Sequence, residues 1–207
     1  MKVALLLSGR FYNTNNRNRT VINDIRNCNP NLEQVLNIDT YMHVWEVEYR
    51  NACPRPNQIL SLISVYNPCK YVIEDYNNIF ASMSINTLII MLHQRKQTFK
   101  LVDNASDVYI ISRPDIVIRS LSLSNYEYLD NIIYAYKCPS HASTTCFDFC
   151  DWLYMCNYNT LNKIMNIDNN IDMSKSNEYN MKQNLIDNGI NIILIGTVHG
   201  EVEYIHS

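Results

Sequence analysis

Short apolar runs recur along the first half of the chain, separated by segments with helical spacing, and this alternation restricts the fold more than any other feature. "KVALLLSG" (2–9), "IDTYMHVW" (38–45), "KYVIED" (70–75) and "DVYIIS" (107–112) read as strands, and their β-branched, continuous apolar character is that of strands buried on both faces. Val21, Ile22 and Ile25 mark a helix over 16–28; residues 58–65 form a short one, and 82–102 is the longest, with Ser82 or Ser84 as its cap. The region 46–58, with Pro54 and Pro56, reads as a loop. Strands alternating with helices predict an α/β fold whose mixed, mostly parallel sheet is flanked by helices on both faces. The second half places strands at 131–136, 190–196 and 201–205 and helices near 158–166 and 177–188, which predicts antiparallel additions to the same sheet.

A chain of 207 residues has the length for one well-cored domain, so 1–207 is read as a single domain. Its net charge of −3 argues against a surface that tracks nucleic acid, and no nucleic-acid partner is expected. Seven cysteines, an odd number without CxxC pairs, read as reduced thiols. "VALLL" is too short for a signal-peptide core, and "LIIML" (88–92) runs into His93, Arg95 and Lys96, so no membrane span is expected and the location is read as cytoplasmic. Heavy use of Asn, Ile and Tyr reflects AT-rich coding, and polar tracts are not read as disorder for that reason.

The stretch "DVYIISRPDIVI" (107–118) carries the first sign of chemistry. An apolar strand is broken by Arg113-Pro114-Asp115 and then resumes, although a core does not tolerate unpaired charges. In open α/β sheets ligands bind outside the carboxyl ends of the strands. Three candidate positions lie at such ends: Ser8-Gly9-Arg10, Glu74-Asp75 and Arg113-Pro114-Asp115.

Together "VALLLSGR", "IDTYMHVW", "YNPCKYVIEDY", "SMSINTLIIMLHQRKQTFKLV", "DVYIISRPDIVI" and "NEYNMKQNLIDNGINI" resemble, in one order along most of the chain, the GT-A-type glycosyltransferase-like proteins of large DNA viruses and bacterial polysaccharide loci. The resemblance implies a GT-A-like fold, a nucleoside diphosphate sugar donor over the carboxyl edge of the sheet, a glycan or carbohydrate acceptor, and a divalent metal, Mn²⁺ or Mg²⁺, held by an Asp-x-Asp motif. A viral relative would work in the host cytoplasm. Arg113 stands where the first aspartate of that motif belongs, which leaves Asp115 as the metal carboxylate; one protein oxygen can suffice where phosphates and waters complete the shell. A late histidine, His199, is the second metal ligand the family suggests, against a solvated loop histidine.

Ser8, Gly9 and Arg10 offer a strand end, a flexible turn and a cation suited to a diphosphate, although an ordinary β-to-α turn looks the same. Arg113 is assigned to the donor, in competition with an ion pair to Asp115 or Asp107. Asp75 is a candidate for base or ribose, against capping the next turn through Asn77. Tyr12 and Tyr76 are possible base-stacking residues or simply structural. In "CFDFCDWLYMC" (146–156), Asp148 and Asp151 are candidate catalytic bases for an inverting transfer, their aromatic setting favouring a raised pKa. A zinc set of His141, Cys146, Cys150 and Cys156 lacks knuckle spacing, and core packing of the thiols is preferred. Glu178 reads as a helix-start carboxylate. The alternative to an enzyme is a catalytically inactive nucleotide-sugar or glycan-binding module of the same fold.

Overall fold

The structure, a computed structural model, describes residues 1–9, 20–47, 56–80, 87–137, 150–167, 172, 175–197 and 202–204. Among them nine strands and six α-helices follow in the order β1 (Lys2–Leu7), α1 (Val21–Cys28), β2 (Asn37–Val47), α2 (Pro56–Tyr66), β3 (Lys70–Asp75), α3 (Tyr76–Phe80), α4 (Thr87–Phe99), β4 (Val108–Ser112), β5 (Ile116–Ile118), β6 (Ile132–Lys137), β7 (Cys150–Cys156), α5 (Tyr158–Met165), α6 (Asn177–Asp187), β8 (Asn191–Thr197) and β9 (Val202–Tyr204).

Seven strands form one sheet in the order β3-β2-β1-β4-β7-β6-β8. β7 alone runs against the others, so the sheet is mixed and mostly parallel, as the alternation requires. Side chains of β1 divide by parity. Val3, Leu5 and Leu7 join α1 and α2 in one core, while Ala4 and Leu6 meet residues of α5 and α6 in the other. Helices therefore cover both faces, the arrangement that buries a parallel sheet.

Local sequence explains the helix ends. Thr20, Asn157 and Ser176 each cap a helix by accepting the backbone N–H three residues on, at 3.2, 2.9 and 3.2 Å. Glu178 lies in the first turn behind the Ser176 cap, where the helix dipole accounts for it. α6 ends in a Schellman turn: Gly189 N–H donates to Ile186 O and Ile190 N–H to Leu185 O, with Gly189 at φ +67°. α2 is described from Pro56, inside the expected loop of 46–58, and a proline suits a helix's first turn, where it has no N–H bond to lose. α4 is described from Thr87, so the Ser82 and Ser84 cap positions lie outside the described residues.

Three expectations change. The run 107–118 is not one interrupted strand: β4 belongs to the main sheet, and β5 pairs antiparallel with β9 in a separate two-stranded sheet. The terminal strand is thus no addition to the main sheet, and β8 joins it parallel to β6. β3 and β8 are apolar in sequence yet lie at the two sheet edges, leaving Tyr71, Ile73, Ile193 and Leu194 exposed. No helix among the described residues is long and apolar enough to cross a membrane.

Candidate functional site

The chain runs outward from β1 to β2 and β3, then returns to place β4 on the other side of β1. That reversal falls at the carboxyl ends of β1 and β4, the position where such sheets take ligands. Leu7 pairs with Ser112, and the Ser8 N–H donates to Ser112 O at 3.2 Å, so the two strand ends stay together past the last paired residues. Gly9 follows at φ +125°, a conformation other residues rarely adopt. A Cβ built there would lie 3.6 Å from Arg113 Cγ and 3.8 Å from Pro114 Cδ. The structure thereby brings Ser8, Gly9, Arg113 and Asp115 to one edge. Arg10 lies outside the described residues.

The two charges of the broken run face each other. Arg113 Nε donates to Asp115 Oδ1 at 2.8 Å and Nη2 to Asp115 Oδ2 at 2.6 Å. The Arg113 side chain is 26% exposed and that of Asp115 1%. Asp107, the other expected partner of Arg113, precedes β4 at the opposite edge and accepts the Lys2 N–H at 2.8 Å. Each Asp115 oxygen accepts from the guanidinium and keeps a further lone pair, but the side chain is 1% exposed, so a hard divalent ion reaches it only if its cover opens. Residue His199, the expected second ligand, lies outside the described residues.

Asp75 ends β3, two strands from β1 and so about 10 Å away. Its Oδ1 accepts the Asn77 N–H at 2.8 Å, the turn-capping role. Tyr76 packs edge-on against Trp45, with ring centroids 5.6 Å apart, in a buried aromatic cluster. Tyr12, Asp148, His141 and Cys146 lie outside the described residues, as does the side chain of Asp151. Cys150 and Cys156 are buried on opposite faces of the sheet, the core role expected of them. Burial pushes the Cys156 thiol pKa up.

A second constellation escaped the sequence reading. His43 on β2, Glu74 on β3 and His93 on α4 converge, with His43 Nε2 and His93 Nε2 each 2.7 Å from Glu74 Oε2. Trp45 pairs with Glu74 in the β2–β3 register, which puts Glu74 diagonal to His43 on the face that α4 covers. His43 is fully buried, and Gln94 Nε2 lies 3.4 Å from its Nδ1. Burial lowers the His43 pKa against the opposing pull of Glu74. Burial alone would raise Glu74, but hydrogen bonds from the two imidazoles reverse this and hold it below its ordinary value. Strand-end placement of Glu74 was visible in sequence. Its meeting with His43 and His93 required strand order and the path of α4.

No family model matches the sequence, and comparison with curated proteins finds no match. Among solved structures the chain is similar to the galactosyltransferase LgtC in complex with donor and acceptor sugar analogs, at 10% identity and a TM-score of 0.45, over 92% of this chain and 70% of that one. It is also similar to the apo form of the glycosyltransferase GlyE of Streptococcus pneumoniae TIGR4, at 10% identity and a TM-score of 0.45, over 92% of this chain and 44% of that one.

Proposed function

We propose that this chain is a glycosyltransferase of GT-A type that moves a sugar from a nucleoside diphosphate sugar to a glycan or carbohydrate acceptor. The observation that carries the reading is the convergence of Ser8-Gly9 with Arg113-Pro114-Asp115 at the reversal of strand order, the edge where the sequence resemblance requires the donor. In this reading Gly9 admits the diphosphate close to the backbone, and the Ser8 and Arg10 positions flank it. Arg113 supplies positive charge where the departing diphosphate becomes more negative. Asp148 or Asp151 takes the acceptor hydroxyl proton in an inverting transfer. A Mn²⁺ or Mg²⁺ ion at Asp115 requires the buried carboxylate to become accessible beside Arg113, so no step is assigned to it.

The burial of Asp115 in its ion pair with Arg113 favours a second reading, a nucleotide-sugar or glycan-binding module without turnover. A thermal-shift panel of nucleosides, nucleoside diphosphates and their sugars, with and without Mn²⁺, combined with a donor-hydrolysis assay, separates the two. A ligand at a hundred times its Kd stabilises by about 2.7 kcal/mol. Stabilisation by a diphosphate sugar with hydrolysis supports the transferase; stabilisation without hydrolysis supports the module. Failure of every diphosphate and sugar to stabilise the protein sinks both.

A further inference from the structure

We propose that His43, Glu74 and His93 form a binding site for a zinc-class divalent ion, independent of the donor site and of the transferase reading. Each residue presents one ligand atom, and these atoms lie within 4.8 Å of one another. Two histidines and a glutamate are a set that zinc takes while keeping a fourth position for water or another ligand. Tetrahedral bonds of about 2.0–2.2 Å would separate ligand atoms by roughly 3.4 Å, so the 2.7 Å contacts to Glu74 must open by somewhat more than half an ångström. Glu74 and His93 are partly exposed, at 20% and 22%, which gives an ion an entry path, while His43 forms the buried floor.

The surroundings suit an ion. Trp45 stacks on His93 at 5.8 Å and meets His43 edge-on at 4.5 Å, and Phe80 meets His93 edge-on at 5.4 Å. An aromatic wall around three ligating groups lowers the local dielectric and excludes competing water. Gln94 beside His43 Nδ1 serves either tautomer, since its amide can present nitrogen or oxygen. With an ion on Nε2, Nδ1 carries the proton and the Gln94 oxygen accepts it, the orienting contact that metal-bound imidazoles require. The ion would tie α4 to β2 and β3, and it differs in ligand type from a hard ion at Asp115.

The test uses the full chain, stripped with EDTA and kept reduced, with Co²⁺ and Zn²⁺ as probes. The protein has two tryptophans, so Trp152→Phe leaves Trp45 as the sole reporter beside the site. One equivalent of Co²⁺ is expected to quench Trp45 emission and give visible d–d bands without a thiolate-to-cobalt charge-transfer band, and Zn²⁺ to erase those bands. His93→Gln and Glu74→Gln, both at partly exposed positions, should each weaken uptake by at least about a hundredfold. Trp45 emission unmoved by Co²⁺ in folded Trp152→Phe protein with His43, Glu74 and His93 intact overturns the proposal whatever the other variants do. A thiolate band, or unchanged uptake in folded His93→Gln or Glu74→Gln protein, also overturns it and leaves the cluster a hydrogen-bond network.

Discussion

Arg113 holds Asp115 with two parallel hydrogen bonds of 2.8 and 2.6 Å, and it does so across a turn that separates two different sheets. The pair explains why charges break an otherwise apolar run. β4 ends at Ser112, the chain leaves the main sheet, and the carboxylate that becomes buried at the departure point carries its own counter-ion.

Arg113→Met should therefore destabilise the protein, because it strands the carboxylate of a side chain that is 1% exposed. Loss of one member of a buried pair costs about 3–5 kcal/mol, and the partial exposure of Arg113 puts the expectation near 3 kcal/mol. In a chain of this size that lowers Tm by roughly 6–12 °C. The double variant Arg113→Met/Asp115→Asn, which removes the stranded charge, should recover much of the loss in denaturant melts. Equal losses in single and double variants would show that the pair is not the cause.

Arg113→Lys keeps the charge and loses the planar fork. If Arg113 also serves the diphosphate, this variant should weaken nucleoside diphosphate binding about tenfold, near 1.4 kcal/mol, and leave nucleoside binding unchanged. Titration calorimetry with the two ligands reads the difference directly. Equal loss for both would restrict Arg113 to its role with Asp115.

Gly9→Ala should cost about 1–3 kcal/mol through backbone strain, since φ is +125° while the nearest atoms to a new Cβ are at ordinary contact distance. Gly9→Val should cost more, because a β-branched residue tolerates positive φ worst, and its added bulk would lie beside Arg113 and Pro114. Urea denaturation combined with donor binding separates the two effects.

Asn29→Ala should be among the more damaging polar substitutions. The Asn29 amide donates to Ile25 O and Leu121 O at 2.8 and 2.9 Å, and its oxygen accepts the Leu123 N–H at 2.8 Å, all buried. Truncation leaves backbone groups of the segment after β5 without partners, at about 2–4 kcal/mol in total. A melt shifted by less than 2 °C would mean that water replaces the amide.

The α/β class was legible in the sequence because period is local: short β-branched runs bounded by turn residues became β1 to β4, and longer segments with helical spacing became helices. Strand ends at Ser8-Gly9 and Arg113-Asp115 were legible for the same reason. The helix-end bonds of Thr20, Asn157, Ser176 and Gly189 each span a single turn, but the sequence reading began the first helix at 16 and missed the Thr20 cap. What tertiary structure decided was adjacency. Sequence does not state which strand lies beside which, so it did not show that β3 and β8 are edges, or that β5 leaves the sheet to pair with β9. Nor did it show that Arg113 answers Asp115 instead of Asp107, a choice made by which end of β4 each carboxylate occupies. His43, Glu74 and His93 are the clearest case, because they come from two neighbouring strands and a helix laid over them, and only packing brings their ligand atoms within 4.8 Å.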